Sequence, residues 1–165
     1  MRILGIDPGL NTTGYGLIDA SQGSIRLVEG GIIRGGQGSL AARVAEIYRG
    51  VVDVIETAAP EVMAIEELYS HYERPRTAIL MGHARGAIIL AAQLAGIEVR
   101  HFAATRIKKI LTGNGRAPKS QMQLVVTREL RLTSPPNPPD VADALAIALS
   151  CWYLDRTREA LRRTE

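Results

Sequence analysis

RILGIDPG, residues 2–9, decides the fold. Residues 3–6 suit a buried strand. Asp7 then puts a carboxylate at its end, and Pro8-Gly9 turns the chain at once. A carboxylate at the end of an apolar strand is costly if it is buried alone. Taken singly, Asp7 is more simply explained as a turn-capping residue.

Working outward, residues 13–20 (TGYGLIDA) and 25–34 read as two more strands. Gly9, Asn11 and the Gln22-Gly23-Ser24 turn punctuate the three as hairpins. Ser39 is a good N-cap for a helix to about residue 58, with an apolar stripe of Leu40, Val44, Ile47, Tyr48, Val51 and Ile55. Pro60 stops it. Residues 62–66 (VMAIE) read as a buried strand that again closes on a carboxylate, Glu66. A polar, aromatic loop follows over 69–75. Residues 77–94 form a helix that is apolar nearly all round, so it must be covered on most sides, by the sheet or by another subunit.

Residues 97–102 make a fifth strand. Thr105 is expected to cap a short basic helix ending at Gly113. Pro118 opens another, to about residue 132, and Asp140 begins the last long helix. The tail from residue 156 is mostly charged. The order β-β-β-α-β-α-β-α-α-α predicts an α/β protein. Its mixed five-stranded sheet has three antiparallel N-terminal strands, then parallel strands, with helices on both faces. The 165 residues are the size of one domain.

Composition narrows the function. With one cysteine, Cys151, no intrachain disulfide forms and a Cys-based zinc site is not expected. No leader pattern is legible, and the apolar run 87–94 is about half a membrane span. The expectation is a cytoplasmic protein. The net charge of +3 is uneven. Residues 100–131 carry eight basic side chains (Arg100, Arg106, Lys108, Lys109, Arg116, Lys119, Arg128, Arg131) against Glu129 alone, whereas residues 1–67 carry nine acidic and five basic ones. Such a block fits either polyanion binding or a solvated basic surface.

Asp140 and Asp143, three apart in DVADALAIALS, share a face near a helix start. If the first and fourth strands are parallel neighbours, Asp7 and Glu66 end side by side, and the last helix can bring Asp143 over them. Converging carboxylates stay ionised only around a cation. Oxygen ligands without Cys suit Mg²⁺ or Mn²⁺, and two such ions can hydrolyse a phosphodiester. Alone, Glu66 is also a solvated strand end, and Asp140 a helix N-cap.

Five stretches together carry a family resemblance: GIDPGLNTTGYG (5–16), AIEELY (64–69), LMGHARG (80–86), GNGRAPKSQ (113–121) and NPPDVADALAIAL (137–149). Over about residues 1–155 the chain resembles the RuvC family of bacterial Holliday-junction resolvases. The resemblance implies an RNase H-like fold and a homodimer that nicks two opposed strands of a four-way DNA junction symmetrically. It implies two Mg²⁺ per site, Mn²⁺ substituting, with Asp7, Glu66, Asp140 and Asp143 as metal ligands. His replaces Asp140 in some members. Lys119 and Lys108 match important family lysines, Lys119 as a catalytic residue at the scissile phosphate. Tyr69 matches a base-stacking aromatic, with Tyr72 beside it. Arg74 and Arg76, in the unusual HYERPR loop, add phosphate contacts, as do Lys109 and Arg116 in the basic block. Contact with the RuvA–RuvB branch-migration complex follows from the family alone. Arg85 either supports the strands near the site or forms a buried ion pair. The competing readings are a nuclease for RNA–DNA hybrid or structured RNA, an actin-like ATPase or sugar kinase, and a catalytically silent junction-binding module.

Overall fold

The computed structural model describes residues 1–21, 23–68 and 75–162. The elements are β1 (Arg2–Asp7), β2 (Thr12–Ser21), β3 (Ser24–Arg34), α1 (Leu40–Ala58), β4 (Val62–Glu66), α2 (Pro75–Leu94), β5 (Glu98–Phe102), α3 (Ala104–Thr112), α4 (Lys119–Glu129) and α5 (Pro139–Arg162). The sheet order is β3-β2-β1-β4-β5. β1, β2 and β3 pair antiparallel, and β1–β4 and β4–β5 pair parallel. The expected mixed sheet is therefore present, and β1 and β4 are neighbours at its centre.

Period-two alternation divides the side chains between two cores. On one face Leu4, Ile6, Leu17, Met63 and Ile65 pack against Ile47 and Val51 of α1 and Ile88 of α2. On the other, Ile3, Ile18, Ala64 and Phe102 pack against Ile107 of α3, Val126 of α4, and Leu145, Ala148 and Leu149 of α5. α5 lies very close to the sheet. A Cβ added at Gly5 would stand 2.0 Å from the Ala144 carbonyl oxygen, and one at Gly14 would stand 2.3 Å from that of Asp140. Glycines on β1 and β2 are therefore what allow α5 to seat over the centre of the sheet.

Ser39 caps α1 as expected, its hydroxyl accepting from the Ala42 N–H. Four helix starts differ from expectation, that of α5 by one residue, since it begins at Pro139 rather than Asp140. α2 begins at Pro75 rather than 77, because proline is favourable in a first turn where its missing N–H has no partner to lose. α3 begins at Ala104, with Ala103 at the N-cap and no side-chain capping bond, so Thr105 lies inside the helix. Pro118 is the N-cap of α4 rather than its first residue, and the helix ends at Glu129.

Within this chain α2 is covered along one stripe only, through Ala84, Ile88, Ala91 and Ala92. Ile79, Leu90 and Leu94 are 62%, 52% and 69% exposed. By length and mean hydropathy α2 could cross a membrane, further than the run 87–94 suggested. Half-buried Arg85 in mid-helix, hydrogen-bonded to the sheet, is the mark of a helix docked on protein.

Candidate active site

Parallel pairing of β1 and β4, with Ile6 opposite Ile65, brings both strands to an end at the same edge. Asp7 is the last residue of β1 and Glu66 the last of β4. Ile6 and Ile65 enter the α1/α2 core, so their successors Asp7 and Glu66 project from the opposite face, under α5. Asp143 comes down from α5. These three carboxylates line one cavity of about 290 Å³ with Lys108 of α3 and Lys119 of α4. Its apolar wall is Ala104, Ile107, Met122, Ala146 and Ile147. Five elements far apart in sequence therefore meet at one polar point.

Burial, then the charges of Glu66, Asp143 and Asp140, push the Asp7 carboxyl up from 3.8 to about 7, and Lys119 opposes them. Burial and Asp143 raise Glu66 as well, against the pull of Lys119 and Lys108. Lys119 Nζ donates to Asp143 Oδ2 at 2.9 Å, and this bond raises the lysine's own pKa. The cavity holds more negative charge than its two lysines neutralise, which is the setting of a cation site.

Asp140 stands in the first turn of α5, where negative charge is favourable. It does not line the cavity, although its charge reaches Asp7 and Lys119. Among the described residues, no three His, Cys, Asp or Glu side chains are gathered closely enough to hold one ion together. The donor chemistry still fits a divalent cation: only hard carboxylate oxygens are offered, and Asp7 is strained toward protonation by its neighbours.

The other basic residues are placed apart. Lys109 and Arg116 line a shallow depression on the α3–α4 turn with Thr105, Gly113, Asn114 and Gly115. Asn114 orders that turn by accepting from the Arg116 N–H at 3.0 Å. Arg76 is exposed at the start of α2. Tyr69, Tyr72 and Arg74 lie outside the described residues.

A Cβ at Gly9 would meet the Thr12 carbonyl oxygen at 2.3 Å, so the turn after β1 itself requires glycine. Thr13 closes that turn, its hydroxyl donating to the Gly9 carbonyl and accepting from the Gly9 N–H. Of the two readings of Arg85, a hydrogen bond to the strand end is what forms: Nε donates to the Glu66 carbonyl oxygen. Its second partner, His101, carried no local sequence signal.

Comparison with known proteins gives a consistent picture. The family model described as crossover junction endodeoxyribonuclease RuvC matches residues 3–151. The chain is 56% identical over 153 residues to a crossover junction endodeoxyribonuclease RuvC from Rhodopirellula baltica, covering 92% of this chain and 86% of that one. It is 44% identical over 150 residues to the protein of the same name from Moorella thermoacetica, covering 90% and 89%. Among solved structures it resembles Thermus thermophilus RuvC, with a TM-score of 0.86 and 34% identity over 95% of this chain and 96% of that one. It resembles the same protein in complex with a Holliday junction substrate at a TM-score of 0.85 and 32% identity, again over 95% and 96%.

Proposed function

The chain belongs to the RuvC family of crossover junction endodeoxyribonucleases, and from that membership and the site geometry we infer its function: it is a metal-dependent endonuclease that cleaves DNA at four-way junctions. The observation that carries this reading is the meeting of Asp7, Glu66 and Asp143 with Lys119 and Lys108 around one cavity.

Asp7, Glu66 and Asp143 are the proposed ligands of two Mg²⁺ per site, for which Mn²⁺ can substitute, with Asp140 completing the set from the first turn of α5. When bound, such a pair supplies an activated water and stabilises the leaving oxygen of a phosphodiester. The protein's own contribution is placement and charge. Strand ends fix Asp7 and Glu66, and α5 seated on Gly5 fixes Asp143. Lys119 holds Asp143 and places a cation where charge grows on the scissile phosphate. Lys108 adds positive charge on the same wall. Lys109 and Arg116, on the outer side of the α3–α4 turn, and Arg76, at the start of α2, contact the phosphates of an adjoining arm. Tyr69, Tyr72 and Arg74, which come after β4 in the sequence, are proposed with the family as contacts to DNA at the junction centre, the tyrosines by stacking on unpaired bases.

A second copy of this chain covers α2. The exposed Ile79, Leu90 and Leu94 support this, as do Gly82 and Gly86, where an added Cβ would meet no other part of the chain within 4 Å. An apolar groove between α1 and α2, lined by Leu40, Val44, Tyr48, His83, Ala87 and Leu90, extends the same surface. Two such protomers place two sites on one junction, and symmetric paired nicking follows. Service in recombination and repair, contact with RuvA–RuvB and a cytoplasmic location are proposed with the family.

The test is a cleavage assay on a four-way junction with and without Mg²⁺, against linear duplex and RNA–DNA hybrid controls. Mg²⁺-dependent, symmetric cutting of the junction alone is expected. Preference for the hybrid would overturn the reading.

A further inference from the structure

β4 ends under a constraint set by β1. The Glu67 N–H donates to Phe102 on β5 at 2.9 Å, so strand alternation turns the backbone of Glu66 the other way, toward β1. The β1–β4 register closes at Ile6 opposite Ile65. The next donor in line on β1 is residue 8, a proline, which has no N–H to give. The Glu66 carbonyl is thus an acceptor at a half-buried strand end whose ladder partner is missing. Arg85 takes that place from α2, its Nε donating to the Glu66 oxygen at 2.9 Å. Its Nη2 is 2.6 Å from His101 Nδ1 on β5. An arginine can only donate, so Nδ1 is the acceptor and the imidazole is the Nε2–H tautomer.

These contacts lie on the face away from the carboxylates. Val99, two residues before His101, packs in the α1/α2 core, whereas Phe102 packs under α5. Among the described residues Arg85 forms no ion pair with a carboxylate; it acts through the last peptide of β4, the one that carries the Glu66 side chain into the cavity.

We propose that Arg85, held by His101, is a positioning residue for Glu66: it replaces the backbone donor that Pro8 cannot supply and fixes the Glu66 carboxylate for cation binding. This rests on the reading of Glu66 as a metal ligand. Partners of this kind, one step behind a ligand, typically change metal affinity by about 10–100-fold when removed.

The experiment compares wild type, Arg85→Ala, His101→Ala and Glu66→Gln in four measurements: Mn²⁺ binding followed by electron paramagnetic resonance, the Mg²⁺ midpoint of single-turnover junction cleavage, junction affinity in EDTA, and thermal unfolding. Arg85→Ala is expected to weaken Mn²⁺ binding and raise the Mg²⁺ midpoint by about tenfold. Junction affinity stays unchanged, and added guanidinium at millimolar concentration partly restores the midpoint. His101→Ala shifts both in the same direction. A lowered Tm with wild-type Mn²⁺ affinity would mean a merely structural arginine and overturn the proposal. If Arg85→Ala does not fold, His101→Ala decides by the same criterion. If Glu66→Gln itself binds Mn²⁺ as wild type does, the assignment of Glu66 as a ligand fails, and the positioning role falls with it. If only Glu66→Gln weakens binding, the ligand stands and the positioning role is rejected.

Discussion

Asp7 shows what environment does to one side chain. Its carboxyl is raised from 3.8 to about 7 in the folded protein, first by burial and then by Glu66, Asp143 and Asp140. Protons therefore bind the folded state more strongly than the unfolded one across that window. The stability this group contributes is complete below about pH 4 and is lost as the pH rises to about 7. Metal-free protein is expected to have a lower Tm at pH 8 than at pH 5. Asp7→Asn should flatten most of that slope and gain on the order of 1–3 kcal/mol at pH 8, measured by denaturant unfolding in EDTA. A divalent cation should raise the wild-type Tm at pH 8 and leave that of Asp7→Asn nearly unchanged. Lys119 gives a second prediction at this scale. Lys119→Ala should slow single-turnover cleavage by about 10²–10³-fold and leave junction affinity in EDTA largely intact. Asp7 and Glu66 were legible as strand-ending carboxylates because apolar strands advertise the exception. The tie from Arg85 to His101 was not legible: it joins α2 to the edge strand β5, and no local pattern pairs residues 85 and 101.

At the scale of elements, the seat of α5 on the sheet sets where Asp143 stands. Gly5→Ala would drive a Cβ into the Ala144 carbonyl, which is backbone and cannot rotate away. The expected loss is about 3 kcal/mol or more, read from the urea midpoint, with cleavage falling because Asp143 moves with its helix. Sheet type and the capped start of α1 followed from pattern, since alternation and Ser39 act locally; the order of strands in the sheet did not, and the pairing of β1 with β4 stood only as a condition. The starts of α2, α3 and α4 did not. Residues 103–105 and 118–119 offer near-equivalent first positions, and packing of Ile107 and Met122 against α5 selects among them. The same limit explains α2: its sequence is apolar nearly all round, but which stripe faces α1 is a tertiary fact. Leu90, 52% exposed beside the α1/α2 groove, tests the proposed dimer. Leu90→Glu should shift the protein toward monomer in sedimentation velocity while leaving its far-UV spectrum unchanged.

For the whole molecule, charge is arranged around the cavity as the function needs. The acidic N-terminal part supplies Asp7 and Glu66, two of the proposed ligands, and the basic stretch 100–131 supplies both cavity lysines and the outer pair Lys109 and Arg116. Removing that outer pair should weaken binding to all junction sequences alike and lower the slope of log affinity against log salt by about 2. It should not change the Mg²⁺ requirement. The most direct test of the central claim is single-turnover cleavage of a four-way junction by Asp7→Asn in Mg²⁺, with junction binding measured in parallel. Cleavage is expected to fall by on the order of 10³-fold or more while binding is kept or strengthened, since one carboxylate's repulsion toward phosphate is gone. Cutting at the wild-type rate would contradict the account.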